Sequence, residues 1–160
     1  MAKIELKTII NAPIERVFDL ARSIDLHKSS TTGTNEEAIA GKTSGLIELG
    51  ETVTWRAKHL GVYQKLTVEI IKYDKPNMFC DMMIKGTFKS MKHIHKFTPH
   101  TNGTIMIDEF EFITPFGSFG KLIEFLFLKS YMTKFLLNKN NQLKQTAESE
   151  KWKKVLNKNI

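Results

Sequence analysis

His93 and His95 lie two residues apart in a stretch, Lys89 to Thr98, whose composition alternates as a β-strand does. Residues i and i+2 of a strand share a face, so both imidazoles point the same way, with Phe97 beside them. Asp108 stands on one face of the next alternating run, with Met106, Phe110 and Phe112. Asp81 shares a face with Phe79 and Met83 in the run before. Two histidines and a carboxylate are the donor set of one kind of metal site. The same groups can form an imidazole–carboxylate general base, because the carboxylate orients the ring and raises its basicity. They can also do no chemistry and only satisfy one another's buried hydrogen-bonding groups. The spacing leaves these three open. His95, Asp108 and Asp81 are the catalytic candidates, and no metal or other cofactor is expected.

The remaining reactive side chains give less. Cys80 has no adjacent base and faces away from Asp81, a poor setting for a thiolate nucleophile. As the one cysteine it excludes an intrachain disulfide and a cysteine-rich zinc site. Ser29-Ser30-Thr31-Thr32-Gly33 lacks the lysine and spacing of a phosphate-binding loop. His27 and His100 read as loop residues, and His59 as a surface residue at a strand end.

The elements that must hold these groups can be read from periodicity. Ile4 to Ile10 alternates as an opening strand, and Asn11-Ala12-Pro13 ends it. Ile14, Val17, Phe18 and Ala21 have helical spacing, and a second short helix or turn starts near Ser23. Strands are predicted near 35–40, then at 51–59 and 63–73, the last two joined by a reversal at Leu60-Gly61-Val62. Three more follow at 79–85, 89–98 and 104–113, separated by turn residues. From Ser118, a plausible N-cap, the pattern turns helical through at least Asn141. Its apolar residues, among them Leu122, Phe125, Leu128, Met132 and Leu136, spread wider than one stripe. A helix of that kind needs cover on more than one side.

Of the 160 residues 41% are hydrophobic and 10% aromatic, which excludes whole-chain disorder and suits one domain with a substantial core. The domain is predicted over residues 1–147, followed by a lysine-rich tail, 148–160. Net charge is +7 and is concentrated at the end: Lys129 to Ile160 holds eight Lys and two Glu. That tail has no Arg and a lone Trp152, so it lacks the basic, aromatic-interleaved face of a nucleic-acid binder. Contact with an anionic membrane surface or a protein, through the long helix and the tail, is the most it supports. The first residues contain no apolar signal segment, and Leu122 to Leu137 is broken by Glu124, Lys129 and Lys134. A cytoplasmic setting is expected.

The order strand, two short helices, antiparallel meander and long helix resembles the START-like (SRPBCC, helix-grip) superfamily, in its polyketide cyclase/dehydrase-like bacterial branch. The resemblance is carried by Ile10-Asn11-Ala12-Pro13-Ile14-Glu15-Arg16-Val17-Phe18 and Glu51-Thr52-Val53-Thr54-Trp55-Arg56-Ala57-Lys58-His59. It continues through Gly86-Thr87-Phe88, His93-Ile94-His95-Lys96-Phe97 and Pro115-Phe116-Gly117-Ser118-Phe119-Gly120. It implies an α+β fold in which a curved antiparallel sheet of six or seven strands wraps a long C-terminal helix. It also implies a hydrophobic cavity between the two. Inward parity assigns Trp55, Gln64, Met83, His93, His95 and Phe97 to that cavity, with Met106, Asp108 and Phe110. Phe125 and Leu128 join them from the helix. Apolar walls with a few polar groups suit a hydrophobic small molecule, such as a lipid or a polyketide-like compound. Carrier or sensor is the first expectation, and a cyclase/dehydrase-like enzyme with a buried His–Asp pair the alternative.

Overall fold

Strand β1 (Ala2–Ile10) buries Ala2, Ile4 and Ile10 and leaves Lys3, Glu5 and Lys7 in solvent, the outcome of its two-residue alternation. The computed structural model describes residues 1–115, 117, 122 and 127–157. After β1 come helices α1 (Ile14–Ala21) and α2 (Ile24–Ser30) and a 3-10 turn, then β2 (Glu37–Gly41) and β3 (Thr52–His59). The meander continues through β4 (Val62–Asp74), β5 (Met78–Lys85), β6 (Ser90–His100) and β7 (Gly103–Ile113). Helices α3 (Lys129–Ala147) and α4 (Lys151–Leu156) end the chain.

The strands form one antiparallel seven-stranded sheet in the order β1-β7-β6-β5-β4-β3-β2. Successive strands are hairpin neighbours, while β1 closes onto β7, with Leu6 opposite Asp108 and Thr8 opposite Met106. Irregularities at Thr67/Val68 and Ile70/Lys72 of β4, and at Ala38/Ala40 of β2, bend the sheet. The sheet is therefore curved, with α3 on its concave side.

Helix α1 turns Val17, Phe18 and Leu20 inward. Phe18 meets Tyr73, Phe79 and Phe97 edge-on at 5.4, 5.6 and 5.4 Å between centroids, the arrangement that aromatic quadrupoles favour. Ser23 caps α2 by accepting from the Leu26 amide at 3.2 Å. The predicted Ser118 cap lies outside the described residues. The described helix runs to Ala147, beyond Asn141, and buries Met132, Leu136, Asn140, Leu143 and Ala147. That is one stripe at helical spacing, and Phe127 and Leu137 are exposed.

Residues 151–156, read from composition as part of a solvated tail, form α4. The Arg16 guanidinium lies 4.2 Å over the Trp152 ring and donates to the Ala147 carbonyl at 3.1 Å. Trp152, Val155 and Leu156 pack half-buried against the core. No helix among the described residues is long and apolar enough to cross a membrane.

Candidate functional site

The concave face, α2 and α3 enclose a cavity of about 400 Å³. Much of its wall is apolar or aromatic, from Trp55, Phe79 and Phe110 on the sheet to Tyr131, Phe135 and Leu136 on α3. Two polar clusters interrupt that wall.

The first cluster is built on Asp108. Pairing of β6 with β7 sets His95 opposite Asp108, and pairing of β5 with β6 sets Asp81 opposite His93. Asp108 Oδ1 lies 2.7 Å from His95 Nδ1 and 3.0 Å from His93 Nε2, while Oδ2 accepts from Asn140 Nδ2 at 2.7 Å. His95 Nε2 is 3.3 Å from Asp81 Oδ1. A carboxylate only accepts, so His93 carries its proton on Nε2, and His95 faces carboxylates with both nitrogens. Burial lowers the affinity of His95 for a proton, but the bonds to Asp108 and Asp81 outweigh it and push its pKa up to about 9. Burial and the neighbouring His95 hold His93 below its ordinary value. Their rings are 3.8 Å apart, so charge on His95 disfavours charge on His93. Burial alone would raise Asp108, but hydrogen bonds from both imidazoles bring it far below the carboxylate range. Asp81 is lowered too: burial acts upward, and the His95 hydrogen bond overrides it.

Among the described residues, Asp81, His93 and His95 place donor atoms within 4.8 Å of one another and could hold a metal ion. Asp108 would then be the outer carboxylate orienting both rings. An ion there has to displace the proton between His95 and Asp81.

The second cluster lies across the cavity. His27 belongs to α2 rather than to a loop, and its ring stacks on Trp55 at 3.9 Å and 14°. Lys139 Nζ from α3 lies 3.0 Å from His27 Nδ1 and 3.4 Å from Nε2. That nitrogen is 3.2 Å from Glu36 Oε2, within ion-pair distance but outside hydrogen-bond geometry, and Glu36 Oε2 is buried without a hydrogen bond. Burial and Lys139 lower the affinity of His27 for a proton, and Glu36 acts the other way. Glu36 is opposed by burial, yet His27 and Lys139 push it down to about 2. His59 is also in the wall rather than on the surface, with Nδ1 2.8 Å from the Tyr131 hydroxyl. Periodicity held no sign of this cluster, because three of its members come from short helices, turns and strand ends. The signal that could have found Lys139 is its helical spacing from Met132, Phe135 and Leu136, which aims it at the sheet.

Of the residues assigned to the cavity, Trp55, Gln64, His93, His95, Phe110 and Leu128 line it, as does the catalytic candidate Asp81. Phe97 and Met106 sit in the core, 2% and 1% exposed, and Met83 is half-buried against that core. Asp108 stands behind the two imidazoles, beside a smaller void of about 30 Å³ that Met106 and Asn140 also line. Phe125 lies outside the described residues. Cys80 is fully buried, and burial pushes its thiol up, away from the reactive thiolate.

The profile of the family described as polyketide cyclase / dehydrase and lipid transport matches residues 1–148. No curated protein matches the chain. Among solved structures, a Thermus thermophilus protein is 20% identical with a TM-score of 0.75, over 91% of this chain and 97% of that one. A Chromobacterium violaceum protein is 12% identical with a TM-score of 0.70, over 94% of this chain and 100% of that one. Ginseng major latex-like protein 151 from Panax ginseng is 14% identical with a TM-score of 0.68, over 91% of this chain and 97% of that one. At these identities the neighbours establish the helix-grip fold.

Proposed function

The chain belongs to the polyketide cyclase / dehydrase and lipid transport family, and from that premise we propose that it is a carrier or sensor of a hydrophobic small molecule. The observation that supports this reading most directly is the cavity of about 400 Å³ with its mainly apolar wall, in the size range that takes a lipid-like or polyketide-like ligand. The polar groups in that wall argue for holding over converting. Both nitrogens of His95 face carboxylates, and His93 donates to Asp108, so neither ring is poised to take a proton from a ligand. In this reading the cluster fixes the cavity floor, and a membrane or protein partner meets the molecule at exposed Phe127, just before α3, and Leu137 of α3, beside Lys134.

The alternative, a cyclase/dehydrase-like enzyme, draws on the same observation that His95 and Asp81 reach the cavity. One experiment separates them. Displacement of an environment-sensitive hydrophobic fluorophore is measured for the wild type, for Ala57→Phe, which fills the chamber, and for His95→Gln. A carrier loses probe binding at least about tenfold in Ala57→Phe and shows no turnover of polyketide-like substrates in any form. Turnover in the wild type that falls about a hundredfold in His95→Gln, with binding retained, would establish the enzyme instead.

A further inference from the structure

We propose that the mouth of the cavity docks on an anionic lipid bilayer, with the turn after β3 in the headgroup layer and the surrounding lysines on lipid phosphates. This rests on the binding reading above, which leaves the partner open, and goes further by naming both the surface and what it meets.

The first support is where the cavity opens. Of its described lining residues only Leu60, Lys65 and Thr87 are exposed. All three stand at one end of the sheet, on the β3–β4 turn, in the first residues of β4 and on the β5–β6 connection. Thr87 Oγ1 donates to Gln64 Oε1 at 3.1 Å, and His59 meets Tyr131 of α3 at 2.8 Å. Three segments, 58–65, 84–90 and 127–134, therefore border one opening.

The second support is the charge of that border. It holds Lys58, Lys65, Lys85, Lys89, Lys129 and Lys134, all exposed, and no aspartate or glutamate. None of these lysines has a carboxylate partner among the described residues. At the opposite end of the molecule lysines are matched, Lys75 by Asp19 at 3.3 Å and Lys144 by Glu148 at 3.9 Å. Clustered, unmatched lysines are drawn to the negative potential of an anionic leaflet.

The third support is what lies between the lysines. Leu60, Val62 and Tyr63 are 54%, 62% and 59% exposed, and Ile84 and Phe127 are 54% and 51% exposed. Tyr63 has Arg56 and Lys58 at 5.5 and 5.9 Å from its ring centre, an amphipathic ring with cations beside it, as suits a membrane–water interface. Apolar side chains interleaved with lysines fit the boundary between headgroups and acyl chains. They project from three separate segments around an opening and do not form the continuous face that a folded partner packs against. A fluid bilayer closes around such projections. Docked this way, the mouth faces hydrocarbon, and a hydrophobic ligand passes between bilayer and cavity without crossing water.

The test is co-sedimentation of the purified protein with vesicles of phosphatidylcholine alone and with vesicles of an equal mixture of phosphatidylcholine and phosphatidylglycerol. Affinity is expected to be at least about tenfold higher for the anionic vesicles and to fall as salt rises. Lys58→Gln, Lys89→Gln and Lys129→Gln together are expected to remove that advantage. Val62→Ser and Leu60→Asn are each expected to weaken binding several-fold. Leu60 has a positive φ that asparagine tolerates better, so a loss in Leu60→Asn is not a loss of fold. Lys151→Gln, Lys153→Gln and Lys154→Gln together, in α4 at the far end, are expected to change nothing. Equal binding to both vesicles, binding to neither, or a loss caused by the α4 lysines and not by those of the mouth would each overturn the proposal. Poly-glutamate bound as tightly as the anionic vesicles, with Val62→Ser without effect on either, would assign the lysines to an acidic protein instead. Vesicle binding is read without any ligand. If it holds while no hydrophobic fluorophore is bound, the fault lies with the binding reading and not with the docking.

Discussion

Asp108 is the residue on which the first polar cluster depends, because three N–H groups from two elements converge on its two oxygens. Asp108→Asn removes the charge and leaves an imidazolium facing an amide. Breaking a buried pair in this way costs about 3–5 kcal/mol, and urea denaturation is expected to show it. Asn140→Leu removes one donor and strands Oδ2, costing about 1–3 kcal/mol in the same assay. The pH dependence has a definite sign. The His95 pKa in the fold is raised from 6.5 to about 9, so its stabilisation is complete below pH 6.5 and is lost as pH rises through about 9. Asp108, held low, contributes above its ordinary 3.8 and loses that contribution on acidification. The stability gap between wild type and His95→Gln is therefore expected to narrow between pH 6.5 and 9, and imidazole ¹⁵N shifts should show His95 doubly protonated at neutral pH. The His95–Asp108 contact was legible in the sequence, since two adjacent alternating runs in an antiparallel meander bring same-face residues together. Asn140 was not, because the rotation of a helix about its axis relative to a sheet is set by packing and not by either element's own pattern.

At the scale of elements, regular alternation was legible and its interruptions were not. Gln64, Leu66, Val68 and Ile70 of β4 follow one inward parity, but Tyr73 also reaches Phe18 in the core. Ile71 is the extra residue between Ile70, paired with Asp81, and Lys72, paired with Cys80, and it reverses the phase. A single bulged residue changes no composition, so periodicity runs straight through it. The reversal after β3 is a two-residue turn in which Leu60 and Gly61 both have positive φ, 53° and 82°. Glycine adopts that conformation freely, whereas for leucine it costs about 1–2 kcal/mol. Leu60 is 54% exposed, so little packing is lost on changing it. Leu60→Asn is expected to stabilise the protein by about 1 kcal/mol, or about 2–4 °C in Tm for a chain of this size, measured by thermal denaturation.

For the molecule as a whole, the order of elements and the presence of a cavity could be read before any coordinates, because a long apolar helix and a single-faced sheet have few ways to cover one another. The end of the chain could not. Lysines dominate its composition, and the apolar contribution of Trp152, Val155 and Leu156 shows only once α1 supplies a surface for them. Truncation after Glu148 is expected to lower Tm by several degrees while leaving the sheet's circular dichroism intact. Trp152→Ala alone should cost about 1–2 kcal/mol, combining lost apolar burial with the stacked Arg16.

Helix α3 is fastened unequally along its length. Its C-terminal half is tied to the body by Asn140 to Asp108, by Arg16 to the Ala147 carbonyl, and just beyond by the Asn11 amide to Glu148. Its N-terminal half lies over the hollow, with Tyr131 reaching His59. Backbone amides of residues 131–137 are consequently expected to take up deuterium well before those of 140–147. A molecule seated in the hollow would slow the first set and leave the second unchanged, so isotope exchange along one helix reports occupancy without any need to know what the occupant is.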